Sequence, residues 1–224
     1  MSDARTWETL EGPLRLARGC LEVWLADLTA PGAQAPERIS PEERARKERF
    51  ASRVDGVMWA RAHGLLRTLL GGYLQCDPLA VSFSYGPQGK PALDAGEQLH
   101  FNLSHSGELA LLAFSRDAPV GVDVEVERGG GADVLGVASR MLGAERAREL
   151  EQLEPAARSR EFLRSWTRHE AALKCRGSGI GAAAASGEDE RGLWVEDLDA
   201  GPGAAGAVAM AAPPAALRLL RWPG

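Results

Sequence analysis

Long apolar runs and an excess of basic residues are both missing from this 224-residue sequence. No apolar stretch approaches the roughly 20 residues that cross a bilayer, and the first residues, MSDARTWETLEG, do not resemble a secretion signal. The net charge of -5 argues against nucleic-acid binding, because phosphate recognition requires clustered Lys and Arg. We therefore expect a cytoplasmic protein that binds neither membranes nor nucleic acids.

Cysteine is scarce as well. The three cysteines, Cys20, Cys76 and Cys175, are far apart and form no CxxC pattern. This spacing predicts neither a disulfide framework nor a zinc site, so we expect free thiols. The rest of the composition, 45% hydrophobic and 25% charged, is typical of a globular protein of one or two domains with a substantial core.

Strand and helix patterns follow one another in blocks. A strand pattern at 20–28 precedes a helix start at Ser40, where Pro41 fits the first turn and Glu43 completes a capping box. Further helical patterns cover about 55–74, 133–153 and 155–175, and strand patterns cover 79–85, 99–104, 108–114, 118–127, 193–198, 206–211 and 216–222. We predict an α+β fold with two similar subdomains, residues 1–117 and 118–224.

One strand pattern, 118-APVGVDVEVERG-129, alternates valine with carboxylates. It sends the valines to one face and Asp123, Glu125 and Glu127 to the other. Like charges on one face repel each other unless water or a cation compensates them. Two carboxylates at i and i+2 supply half of a Mg²⁺ site, whereas a plain solvated edge is the alternative interpretation.

The helical pattern 161-EFLRSWTRHEAALKC-175 carries another candidate carboxylate. Glu170 lies one turn from both Trp166 and Lys174, so it borders the apolar face of the helix. It is either half of a surface pair with Lys174, or a metal ligand or general base. In the second case Lys174 would hold its charge or contact a phosphate.

Two segments with turn residues carry groups suited to phosphate. In 101-FNLSHSG-107, Ser104 and His105 diverge on an extended backbone, which argues against a Ser–His catalytic pair and leaves phosphate binding open. In 89-GKP-91, Lys90 stands between two turn formers, and a solvated lysine is the alternative. Gly177 follows a helix rather than a strand, so we interpret it as a helix stop and not as part of a dinucleotide loop.

Together and in this order, GKP, FNLSHSG, VGVDVE and WTRHEAALKCRGSG resemble the motifs of Sfp-type 4'-phosphopantetheinyl transferases. The resemblance covers roughly residues 20–182. It implies two similar α/β subdomains in one chain, with coenzyme A and Mg²⁺ at their interface, and hence a monomer. It also implies transfer of the 4'-phosphopantetheine arm to a serine of an acyl or peptidyl carrier protein, releasing adenosine 3',5'-bisphosphate.

The resemblance assigns roles to individual residues. Asp123, Glu125 and Glu170 would be the metal ligands. Glu170 would also take the proton of the incoming serine, and Lys174 would offset charge on the transferred phosphoryl group. Contacts to the phosphates of coenzyme A would come from Arg46, Lys90, Ser104 and His105.

The sequence departs from the family pattern at three positions. His169 and Glu43 stand where lysines are usual. Met58 stands near the position of a usual arginine, for which Arg61 and Arg67 are the two candidate replacements. These departures bear on the nucleotide contacts more than on the metal site. They keep open a second hypothesis, a coenzyme A-binding homologue without transferase activity that acts as a sensor or partner protein.

Overall fold

The computed structural model describes residues 6–10, 12–33, 38–86, 89–94, 98–127, 133–177 and 190–223. Its helices are α1 (Pro41–Lys47), α2 (Arg53–Leu74), α3 (Val134–Met141), α4 (Ala144–Glu151) and α5 (Pro155–Arg176). Its strands are β1 (Glu8–Thr9), β2 (Cys20–Asp27), β3 (Phe83–Tyr85), β4 (Pro91–Leu93), β5 (His100–Ser106), β6 (Leu109–Ser115), β7 (Val120–Val126), β8 (Trp194–Leu198), β9 (Ala204–Met210) and β10 (Ala216–Arg221). The predicted α+β class is confirmed.

The larger sheet combines strands from both ends of the chain. Its strand order is β1-β10-β2-β6-β5, with β10 parallel to β2 and β6 antiparallel to its two neighbours. The last strand of the chain therefore lies in a sheet built mainly from residues before 117. The boundary between 117 and 118 stays a prediction.

The smaller sheet has the order β7-β9-β8 and is antiparallel throughout. Val120, Val122 and Val124 of β7 are fully buried in a core that they share with β2 and β6 of the larger sheet. Helix α5 packs on the other face, where Ala171 and Cys175 contact alanines of β9. The prediction that the valines face the core is confirmed.

Helix α2 covers the opposite face of the larger sheet. Its leucines between positions 65 and 70 pack against aromatic and aliphatic side chains of β5 and β6. The helix begins after Ser52, whose hydroxyl accepts a hydrogen bond from Asp55 N at 3.2 Å, and ends at Gln75 in a left-handed conformation. The predicted capping box of α1, formed by Ser40 and Glu43, is also present.

Two predicted elements were wrong in extent. The strand expected at 79–85 is a 3-10 turn at Pro78–Ala80 followed by β3, because Pro78 and the capping side chain of Asp77 favour a turn. The helix expected at 133–153 is divided at Gly143, whose φ of 95° is incompatible with a right-handed helix. Gly177 ends α5 with a φ of 73°, as predicted, whereas most of the predicted loop after it lies outside the described residues.

None of the described helices combines the length and apolar character that a membrane span needs.

Candidate active site

The candidate site lies where an edge strand of the larger sheet meets an edge strand of the smaller sheet. β5 ends the larger sheet and β7 begins the smaller one. Side chains, not a backbone ladder, connect them: Asn102 Oδ1 accepts from Val122 N at 2.8 Å, and Ser106 Oγ accepts from Val126 N at 3.3 Å. These contacts give partners to edge amides of β7 and turn alternate residues of β5 towards it.

Three predicted residues meet at the centre of this contact. Lys174 Nζ, from α5, donates to Asp123 Oδ1 at 2.5 Å and to Ser104 Oγ at 2.9 Å. Ser104 in turn donates to Asp123 Oδ1 at 2.7 Å. The structure thus brings β5, β7 and α5 together around one carboxylate.

Glu125 lies two residues further along β7 and has a similar arrangement. Ser106 Oγ donates to Glu125 Oε2 at 2.7 Å, and the side chain is half-buried. Both acidic residues of the predicted pair therefore face β5, and each accepts a hydrogen bond from a serine hydroxyl. Each carboxylate is held in one orientation by that contact.

Glu170 is buried beside this pair. Its Oε1 atom and Asp123 Oδ2 are both buried and have no hydrogen-bond partner among the described residues. Burial and the negative charge of Asp123 raise the pKa of Glu170 to about 7, although the Lys174 ammonium opposes the shift. A buried carboxylate oxygen without a donor is unfavourable by roughly 1–3 kcal/mol or more, so the site favours a proton or a cation there.

The chemistry of these oxygens fits a divalent cation. Mg²⁺ prefers carboxylate oxygens and usually shares its coordination with substrate phosphates. Over the described ranges, however, no three His, Cys, Asp or Glu side chains lie close enough together to form a ready-made metal cluster. Lys174 is the cation beside Asp123, and one oxygen each of Asp123 and Glu170 remains available to a metal.

Lys90 and His105 lie next to this centre. The Lys90 ammonium donates to the carbonyl oxygens of Lys174 at 2.5 Å and Val120 at 3.1 Å. His105 follows Ser104 on β5 and is half-buried, and its pKa is lowered to about 4 by burial and by His63 and Lys174. The His105 imidazole is therefore neutral at physiological pH.

Arg46 lies in a separate cavity of about 420 Å³ between α1, α2 and β3. Its guanidinium stacks over the Trp59 ring, 5.1 Å from the centroid. On the cavity wall, Arg67 Nε donates to Glu43 Oε2 at 2.7 Å. Sequence reasoning missed Trp59, for which the only signal was its spacing of four residues from His63, the imidazole that stacks on it.

The other departures from the family pattern also have defined environments. Glu43 is buried, which opposes its charge, but hydrogen bonds from His63, Arg67 and Ser40 lower its pKa to about 2. Met58 packs against the core, and Arg61 donates to the carbonyl of Leu28. Arg67, not Arg61, therefore lines the cavity.

His169 lies in a different cavity from the other predicted residues. It is buried at 3% exposure and lines a cavity of about 260 Å³ together with Arg146, Arg164 and Arg168. Its ring lies 5.9 Å from that of Trp166. The expected effect of this departure on the nucleotide contacts stays a prediction.

Comparison with known proteins finds two family models that match adjacent parts of the chain. The family model described as 4'-phosphopantetheinyl transferase, N-terminal, matches residues 30–117, and that of the 4'-phosphopantetheinyl transferase superfamily matches residues 119–197. The 4'-phosphopantetheinyl transferase HetI of Nostoc sp. is 34% identical over 181 residues, which cover 78% of this chain and 76% of HetI. The chain belongs to the 4'-phosphopantetheinyl transferase superfamily. This confirms the family indicated by the sequence motifs.

Other relatives of this phosphopantetheinyl transferase family member align over a shorter part of their length. The slr0495 protein of Synechocystis sp. is 36% identical over 164 residues, 71% of this chain and 65% of that protein. The 4'-phosphopantetheinyl transferase Sfp of Bacillus subtilis is 28% identical over 142 residues, 63% of this chain and 62% of Sfp. The chain thus spans slightly less than two thirds of these two relatives.

Proposed function

We propose that this protein transfers the 4'-phosphopantetheine arm of coenzyme A to a serine of an acyl or peptidyl carrier protein and releases adenosine 3',5'-bisphosphate. The observation that supports it is the pair of buried acceptors, Asp123 Oδ2 and Glu170 Oε1, next to the Lys174 ammonium. Acceptors without donors beside a cation suit a reaction between a diphosphate and a hydroxyl. Family membership supports the same reaction class.

Asp123, Glu125 and Glu170 would hold Mg²⁺ in this proposal. When bound, the ion would supply positive charge to the diphosphate of coenzyme A, where negative charge builds on the leaving 5'-phosphate. Ser104 and Ser106 keep two of these carboxylates oriented through hydrogen bonds of 2.7 Å each.

The side chains have complementary roles in the transfer step. The serine oxygen of the carrier forms a bond to the phosphorus of the pantetheine phosphate, while the bond from that phosphorus to the bridging oxygen of the leaving nucleotide breaks. Glu170, directly or through water, takes the serine proton, since its ionised carboxylate can accept it. Lys174 offsets the charge of the transferred group.

The nucleotide end of coenzyme A fits the cavity that contains Arg46. The Arg46 guanidinium, held over the buried Trp59 ring, offers a cation at its wall. Ser104 donates to Asp123 and His105 follows it on β5, and we retain both as contacts for the phosphates. His105, being neutral, would act as a hydrogen-bonding group rather than as a charge.

The second candidate is a coenzyme A-binding homologue without transferase activity. The observation that favours it is the charge of Glu43, which lies in the same cavity as Arg46. A carboxylate there weakens the attraction for a phosphate group. The nucleotide end would then be held mainly by Arg46.

One experiment separates these candidates. The protein is incubated with coenzyme A, Mg²⁺ and either an apo acyl carrier protein or an apo peptidyl carrier domain, and the carrier mass is measured. A gain of one phosphopantetheine arm, lost with EDTA or when the carrier serine is replaced by alanine, supports the transferase. Coenzyme A binding by calorimetry without any mass gain supports the second candidate, and no binding contradicts both.

The expected oligomeric state and location belong to the same proposal. Both halves of the candidate site come from one chain, so a second subunit is not required to complete it. We propose a monomer that acts in the cytoplasm, and light scattering of the purified protein tests the first part. A stable dimer would contradict it.

A further inference from the structure

The ammonium of Lys90 joins three separate elements. Lys90 precedes β4, and its Nζ donates to Val120 O, at the start of β7, and to Lys174 O, in the last turn of α5. The distances are 3.1 Å and 2.5 Å. Two of the three protons of this ammonium are therefore directed at backbone carbonyls of the elements that carry the candidate site.

The surroundings of Lys90 are unlike those of a solvated turn lysine. Burial lowers its pKa, and within the described residues it forms no ion pair. Lys174 O also accepts from the capping Gly177 N at 3.3 Å, and because the last carbonyls of a helix carry partial negative charge, a cation is favourable at this end of α5. Lys90 supplies that cation from the part of the chain before residue 117.

The Lys90 contacts lie where α5 packs on β7, next to the candidate site. Helix α5 crosses β7 at Gly121, where an added Cβ would lie 2.0 Å from Ala171 O and 2.3 Å from Cys175 N. Lys90 binds the residue before Gly121 and the residue before Cys175. The Val120 carbonyl is three residues before Asp123 on β7. The second carbonyl that Lys90 binds belongs to Lys174, whose ammonium contacts Asp123.

We infer that Lys90 is a positioning residue, which fixes the last turn of α5 on β7 and so holds the Lys174 ammonium against Asp123. This inference differs from the phosphate contact expected from the sequence, because the ammonium is already shared by two carbonyls. Its kinetic consequence depends on the proposed transferase function, whereas its structural consequence does not.

The kinetic test compares Lys90→Met, Lys90→Arg and the control Lys47→Met with the unaltered protein; Lys47 ends α1 and its side chain is 33% exposed. For Lys90→Met, kcat falls at least tenfold while the KM for coenzyme A changes less than threefold. Lys90→Arg, which can still donate to both carbonyls, recovers at least a third of kcat, and Lys47→Met keeps kcat and KM. A tenfold rise in KM at constant kcat would show a phosphate contact, and a lower melting temperature with unchanged kcat would show a purely structural role; either overturns the inference.

The structural test uses hydrogen exchange of the free protein, without coenzyme A. Lys90→Met speeds amide exchange in the last turn of α5 and at the start of β7 at least fivefold, with little change in α2. Unchanged exchange in both segments overturns the inference. This measurement decides the role of Lys90 even if the unaltered protein transfers nothing to any carrier, in which case only the proposed function fails.

Discussion

Lys174 Nζ lies 2.5 Å from Asp123 Oδ1, and this pair joins the last turn of α5 to the middle of β7. The aspartate side chain is 4% exposed and the lysine side chain 26% exposed. When one partner of a buried ion pair is removed, the other charge is left without compensation, which typically destabilises by about 3–5 kcal/mol. Stability and activity must therefore be measured together for any substitution in the pair.

Asp123→Ala should abolish carrier modification at ordinary Mg²⁺ concentrations, because a direct metal ligand and the partner of Lys174 are both lost. We expect a loss larger than the roughly 10- to 100-fold effect of residues that only orient a ligand. Carrier mass spectrometry measures it, with circular dichroism to show that the variant is folded. Glu127→Ala, at an exposed position just after β7, is the matched control and should leave the rate unchanged. Normal turnover by a folded Asp123→Ala protein would contradict the metal assignment.

Glu170 should titrate near pH 7 in the metal-free protein, since burial and the charge of Asp123 disfavour its carboxylate form. Adding Mg²⁺ should lower this pKa, because a bound cation stabilises the carboxylate. Carbon-13 NMR of labelled glutamate side chains measures the titration, and Glu170→Gln identifies the resonance. A Glu170 pKa that does not respond to millimolar Mg²⁺ would exclude it as a ligand.

Gly121→Ala should separate α5 from β7. The added Cβ meets backbone atoms of α5 at 2.0 Å and 2.3 Å, and backbone cannot move aside as a flexible side chain can. We expect a loss of unfolding free energy of about 3 kcal/mol, measured by urea denaturation, together with loss of transfer. Gly86→Ala, where the nearest atom lies 3.7 Å from the added Cβ, is the control. Equal stability of the two variants would show that the helix does not depend on this close approach.

Local signals in the sequence predicted the local structure well. The capping box at Ser40 and Glu43 and the helix stop at Gly177 depend on neighbouring residues, and both are present. The alternation of valine and carboxylate predicted which face of β7 packs into the apolar core, although Asp123 on the other face is buried as well. The sequence contains no comparable signal for the insertion of β10 between β1 and β2, because that pairing joins segments almost 200 residues apart.

In the candidate site, too, the sequence indicated individual residues but not the long-range contacts between them. Asp123 and Lys174 could be selected from residue type and spacing, but their contact through Ser104 depends on how two sheet edges meet. The sequence suggested either a solvated lysine or a phosphate contact at position 90. Its actual partners are backbone carbonyls, which have no signature in a sequence.

Glu43 should make the protein more stable above pH 4.5 than below it. Its pKa is about 2 in the folded protein against 4.5 for an ordinary glutamate, so the unfolded chain takes up its proton first as the pH falls. The stabilisation is complete above pH 4.5 and is lost as the pH falls towards 2. The shift corresponds to about 3 kcal/mol, since one pKa unit is about 1.4 kcal/mol.

Glu43→Gln tests this linkage because the amide keeps an acceptor for Arg67 and preserves the capping box while removing the charge. At pH 7 the variant should be less stable by about 3 kcal/mol in urea denaturation, and the difference from the unaltered protein should shrink steadily as the pH is lowered from 5 to 3. Glu48→Gln, which removes an exposed partner of Lys47, should change stability by less than about 1 kcal/mol at every pH. If the Glu43→Gln difference were the same at pH 3 as at pH 7, folding would not lower the pKa of Glu43, and Glu43 would contribute through packing alone.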